Sequence, residues 1–151
     1  MTDLLTPDVT AWIGRSAPPV RLEVTRRDIV KYAIATQQRR DVYRRGDEAP
    51  PMFLFNAHTP LVPLDELRPD GLTRDPLLPA LPLTRVMAGG VHNRYHRPVR
   101  PGDVLVMTRT LTDIYEKHGR SGPLIFVVFS LRVETEAGEL VMEETRRRIF
   151  R

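Results

Sequence analysis

The chain contains no cysteine. Disulfides, thiolate nucleophiles and cysteine-type zinc sites are therefore excluded, and a cytoplasmic setting fits without being required. Long apolar runs are missing too. No stretch approaches the ~20 residues that cross a bilayer, and 28% of the residues are charged, so a helical membrane protein is not expected. The opening residues Met1-Thr2-Asp3-Leu4-Leu5 lack a basic region followed by an apolar stretch, and no signal peptide is expected there. Lysine is scarce, so nearly all of the 23 basic residues are arginine, whose planar fork suits bidentate contacts with phosphate or carboxylate. Against 19 acidic residues they leave a net charge of +4. That balance reads either as a solubilising surface or as attraction for an anionic ligand, such as a nucleotide-bearing thioester. The basic residues are not interleaved with aromatics, which argues against nucleic-acid binding.

What is present is enough for one domain, 1–151: 41% of the chain is hydrophobic and no internal repeat is visible. Thr6-Pro7-Asp8 has the form of an N-cap, a proline at the first helical position and an early acid. A short helix is expected from Pro7 to Ile13, stopped by Gly14. Val20 to Val24 alternates apolar and polar residues, the period of a half-buried strand. Thr25 then caps a second helix, with Asp28 three residues on. Ile29, Val30, Tyr32, Ala33, Ile34 and Ala35 surround most of this helix, so it is expected over about 25–38, buried on several sides.

Regularity fades from Arg39 to Leu83, where eight of the 14 prolines lie between Pro50 and Pro82. An irregular segment this long inside a domain is usually functional or covers something. Strands resume afterwards. Val104 to Glu116, Leu124 to Thr135 and Glu139 to Phe150 form a meander turned at His118–Pro123 and at Ala137-Gly138. Ile125, Val127, Phe129, Leu131 and Val133 share one face. Such long strands imply a curved antiparallel sheet wrapped around the second helix, an α+β arrangement.

Leu83 to Gly90, Tyr95 to Asp103 and Leu111 to Lys117 with Gly119-Arg120-Ser121-Gly122-Pro123 resemble the N-terminal type of MaoC-like dehydratase domain. The resemblance runs from Ile13-Gly14 to the last strand. It implies a single hot-dog domain that pairs with a catalytic MaoC-type hot-dog, fused or as a separate subunit. The pair would hydrate enoyl thioesters of coenzyme A or acyl carrier protein, or dehydrate the 3-hydroxyacyl forms, with no cofactor. In catalytic members the central helix ends in a pattern like Thr-Gly-Asp-x-Asn-Pro-x-His, whose Asp and His activate water and move a proton. Laid on this chain the pattern spans Thr36 to Tyr43, with Gln38 in place of the Asp and Tyr43 in place of the His. Glutamine accepts no proton near neutral pH, and tyrosine is a poor base unless its pKa is strongly lowered. The family's oxyanion-holding glycine, just before a methionine, is matched by Pro51, which has no N–H to donate. The resemblance thus implies a catalytically silent half.

Other candidates are weighed on their own chemistry. His58, His92, His96 and His118 show no metal-ligand spacing, and no metal site is expected. Asp41 and Asp47 are either a relocated acid–base pair or loop carboxylates. Ser121 reads as hairpin-turn chemistry, and Gly89-Gly90 as a bulge or a close backbone approach. Arg94, Arg97 and Arg100 either hold coenzyme A phosphates or an acidic carrier surface, or are a solvated strand end. Arg146-Arg147-Arg148 is expected on the surface of an outer strand. Three functions follow: a substrate-binding subunit of a heteromeric hydratase/dehydratase, a homodimeric hydratase or thioesterase with relocated groups, or a non-catalytic acyl-thioester-binding protein.

Overall fold

Thr25 caps its helix as the sequence requires. In the computed structural model, which describes residues 4–151, its hydroxyl accepts the Asp28 N–H at 3.1 Å and lies 2.6 Å from the Asp28 carboxylate. The helix α2 runs over Arg26–Ala35, and Gln37 follows in the left-handed region at φ 54°. The Gln38 N–H reaches back to Ala33 O at 2.9 Å, closing the helix with a Schellman-type turn. The helix is therefore shorter than the expected 25–38. It is also less enclosed: Ile29 and Ala33 are buried, but Ile34 is 72% exposed. One face packs on the sheet, because the proline-rich segment spreads mainly over another part of that sheet. The expectation of burial on several sides fails for this reason.

The earlier short helix α1 covers only Pro7–Thr10. Its expected last turn is drawn off to the sheet, where the Gly14 N–H donates to Leu111 O at 2.8 Å. Two further short helices follow α2: α3 at Asp41–Arg44 and a single 3-10 turn at Leu64–Glu66. The reading of Met1 to Asp3 lies outside the described residues.

The strands are β1 Val20–Glu23, β2 Val86–Tyr95, β3 Val104–Gly119, β4 Gly122–Thr135 and β5 Leu140–Phe150. Among the described residues they form one five-stranded sheet, antiparallel throughout, in the order β1-β3-β4-β5-β2. At 16 and 14 residues, β3 and β4 are long enough to curve, and Arg120-Ser121 turns between them opposite the Gly119–Gly122 pair. A bulge interrupts β2 between Ala88 and Gly90. A Cβ on Gly89 would stand 3.0 Å from side-chain atoms of Arg147 and Ile149, so the expected close approach is real there. Long antiparallel strands curling over a helix give the expected hot-dog arrangement.

The inner face of the sheet carries two apolar clusters. Ile29 of α2 joins Val24, Leu54, Val99, Leu105, Met107, Leu131, Val133, Val141 and Met142 in the first. Val9 and Leu77 cover Leu111, Ile114, Ile125, Val127, Phe129 and Phe150 in the second, with Trp12, Leu78, Leu81 and Leu83 at its margin. The proline-rich segment is thus the lid of the second core.

Candidate functional site

Downstream of α2 the chain turns through α3, which buries Tyr43. Tyr43 walls a cleft of about 460 Å³ together with Pro51, Phe53, Tyr95, His96 and Arg97. The Tyr43 hydroxyl accepts from Arg40 Nη1 at 3.0 Å. Pro51 ends the cleft wall without a backbone donor, and the next N–H, on Met52, is already given to the Tyr95 hydroxyl at 3.2 Å. Asn93 Nδ2 donates to the same hydroxyl at 3.1 Å. Met52 itself sits in the left-handed region at φ 69°, which turns the chain toward β2. Gln38 lies apart from Tyr43, on a neighbouring depression with Ile34, Gln37 and Arg44, and its amide donates to Thr36 Oγ1 at 3.1 Å. Two of the three family positions, Tyr43 and Pro51, thus share a cleft, and the third lines another.

The three arginines near the turn after β2 have different surroundings. Arg97 is mostly buried and grips Asp103 with both arms, at 2.9 and 3.1 Å, while its Nε lies 3.1 Å from Glu139. Burial works to raise the Asp103 carboxyl, but Arg97 and the Arg100 backbone N–H outweigh it and hold the group below its usual range. Arg97 is therefore a clamp on the turn. Arg100 pairs at 3.1 Å with Glu48, a residue that lines the cleft, and Arg94 is exposed on β2. His96 meets Glu143 at 3.0 Å. Asp47 is held by Arg26 and Arg45 at 2.6 and 3.0 Å, as a loop carboxylate, and Asp41 is exposed at the start of α3.

A charged band inside the molecule escaped the sequence reading. β5 is not an outer strand, since β2 lies beyond it, and Arg146 and Arg148 face inward instead of forming surface. Their side chains are 14% and 32% exposed. Asp75, from the proline-rich segment, accepts both arms of Arg109 at 2.9 and 2.8 Å and Arg148 Nη1 at 2.7 Å. Burial works to raise the Asp75 carboxyl, but the bond and charge of Arg109, aided by Arg148, keep it below its usual range. The guanidiniums of Arg109 and Arg146 lie over Phe129 and Phe55 at 3.9 and 4.3 Å. Glu144, 4% exposed, has its carboxyl raised by burial against the pull of Arg146, 2.8 Å away. That contact is out of line for a hydrogen bond. Among the described residues Glu144 Oε2, His58 Nδ1 and Arg146 Nε and Nη2 are buried without partners. The signal was present in the sequence: Glu144, Arg146 and Arg148 are in phase with the buried Met142 and Phe150.

The model of the family described as "FAS1-like, dehydratase domain region" matches residues 11–144. A mesaconyl-C(4)-CoA hydratase of Chloroflexus aurantiacus is 28% identical over 127 residues, 83% of this chain and 45% of that protein. The chain thus spans less than half the length of this curated relative. The ChsH1-ChsH2 complex of Mycobacterium tuberculosis contains a chain of similar fold. Its TM-score is 0.68 at 20% identity, covering 95% of this chain and 86% of that one. The HadBC (3R-hydroxyacyl-ACP dehydratase) complex of the same organism gives 0.64 at 17% identity, covering 93% and 98%. At such identities the likeness is one of fold. Among the described residues no helix is long and apolar enough to cross a membrane.

Proposed function

The chain belongs to the FAS1-like dehydratase-region family, a MaoC-like hot-dog family of hydratases and dehydratases, and from that premise we propose that it is the substrate-binding half of an enoyl-thioester hydratase or 3-hydroxyacyl-thioester dehydratase. A MaoC-type partner subunit supplies the catalytic Asp/His pair. The acyl group arrives on coenzyme A or acyl carrier protein, in the cytoplasm, and no cofactor takes part. The observation that carries this reading is the cleft of Tyr43 and Pro51. It has the walls of a ligand site, yet one family position holds a phenol and the other lacks an N–H. The remaining N–H nearby, on Met52, is spent on Tyr95. Arg94 and Arg100, exposed on either side of the His96–Val99 wall of the cleft, are the proposed anion contacts, with Arg97 holding the turn between them. The pairing of HadBC as a dehydratase complex supports the heteromeric form.

The exposed edge supports it as well. Among the described residues β2 pairs only with β5, and Val86, Met87, Val91 and Tyr95 on it are 52, 39, 40 and 45% exposed. An edge of this length with apolar side chains is a template for a second strand. We propose that the partner docks there, or a second copy when the partner is absent.

A second reading has one observation in its favour. His96 lines the same cleft as Tyr43 and is held by Glu143, the geometry of an oriented base. Hydration of a crotonyl thioester by the purified chain separates the two. The silent-half reading expects activity at background for the chain alone and turnover on adding an Asp/His-bearing partner. Turnover by the chain alone that is lost in His96→Gln makes it a homodimeric enzyme with relocated groups.

A further inference from the structure

Arg109, Arg146 and Arg148 rise from the inner face of the sheet, where the same strands elsewhere carry Leu105, Met107, Met142 and Phe150. A charge in such surroundings is costly unless it is paired. Asp75 answers Arg109 and Arg148, and Glu144 lies beside Arg146, so three cations face two anions. Arg146 donates Nη1 to Asn56 Oδ1 at 2.6 Å and brings Nη2 to 2.8 Å from Glu144, while its buried Nε has no partner among the described residues. His58 adds no charge: burial first, then Arg109 and Arg146, press its ring down to about 4. The band is short of one anion.

It is also open on one side. Across from Arg148 in register stands Ala88, and across from Arg146 stands Val91, both exposed on the edge strand. Ala88-Gly89-Gly90 offers almost no side chain to close that flank. Along β2, Val91 precedes Tyr95 of the cleft by four residues, about 13 Å at ~3.3 Å per residue.

We propose that Arg146 and Arg148, backed by Arg109, receive a carboxylate at the far end of an acyl group whose thioester end occupies the Tyr43–Pro51 cleft. Asp75 pairs with two of these arginines, Arg109 and Arg148. The proposal rests on the acyl-thioester reading above. A carboxylate is the fitting group, because guanidinium forks bind it bidentately, and Asp75 already does so with Arg109. Phe55 and Phe129 back the guanidiniums of Arg146 and Arg109, with ring centroids 4.3 and 3.9 Å away.

The test titrates the full chain, with its partner where one is found, against decanoyl-CoA and its ω-carboxyl counterpart. The ω-carboxyl thioester should bind about tenfold tighter, the scale of one charge-assisted contact. Arg148→Gln should bring the two affinities within about twofold of each other. Asp75→Asn removes the resident carboxylate, so it should lower Tm, and the ω-carboxyl thioester should restore Tm where decanoyl-CoA does not. A structural ion pair alone would show the loss without that selective rescue. Equal affinities for the two thioesters overturn the subsite and leave acyl binding standing, whereas binding of neither overturns both. Should Arg148→Gln fail to fold, the selective rescue of Asp75→Asn decides.

Discussion

A histidine kept neutral by burial and by neighbouring arginines binds no proton in the folded chain until the pH nears 4, whereas the unfolded chain takes one up near 6.5. In that window the unfolded state holds more protons, so stability falls as the pH is lowered from 6.5 toward 4. His58→Leu should flatten this part of the profile, measured by urea unfolding across the range. Asp75 and Asp103 act in a separate window. Their folded values lie below the ordinary 3.8, so their contribution is present above it and is lost as the pH drops further. A profile that His58→Leu leaves unchanged would assign the loss near pH 5 to other groups. At the same scale, Gln38, Tyr43 and Pro51 stand out in the sequence only as departures from the family's pattern, and the structure puts Tyr43 and Pro51 on one cleft and Gln38 on another. The charged band was legible only in part: Glu144, Arg146 and Arg148 are in phase with Met142 and Phe150, but Asp75 is far from Arg109 and Arg148 in the chain and joined to them only by the fold.

Among the elements, the end of α2 stores strain. Gln37 occupies a left-handed position that side chains other than glycine resist, at a cost of about 1 kcal/mol. Gln37→Gly should therefore stabilise the chain by about that amount, raising Tm by roughly 2–4 °C in calorimetry. An unchanged or lowered Tm would mean that the Gln37 side chain contributes contacts equal to the strain. The strands were the most readable elements: Ile125, Val127, Phe129, Leu131 and Val133 fall on one face of β4, and all five are buried. The helix was misjudged in extent. Periodicity shows which residues are apolar but not how much chain arrives to cover them, and Ile34 was left uncovered. The proline-rich segment was readable as a cover, although its charged contacts were not. Gly46 illustrates the same limit: nothing in the sequence reveals that a Cβ there would meet Arg26 and Val30 at 2.9 Å.

For the whole molecule, the free flank of β2 predicts association. Light scattering at micromolar concentration should give a dimer or larger species, hetero when the partner is present and homo when it is not. Proline at Val91, on the open edge, should weaken that association more than it weakens folding, because it places a residue without an N–H in the docking strand. A stable monomer would remove the edge from the argument. Composition and period were enough to read one α+β domain, since the strands dominate the last third of the chain. The order of the strands was not readable, because alternation does not say which neighbour a strand takes.

That order has a consequence in time. β2 is made before β3 and β4, yet its partner in the sheet is β5, which is made after both. Between Tyr95 and Phe150 a ribosome working at ~5–20 residues per second needs roughly 3–11 s. During this interval Val86, Met87 and Val91 have no strand of their own chain to lie against. A nascent chain paused before Leu140 should bind trigger-type chaperones through this segment, and one released after Phe150 should not. Pairing with another subunit at the far flank of β2 then follows the synthesis of β5, since only β5 sets that strand into the sheet.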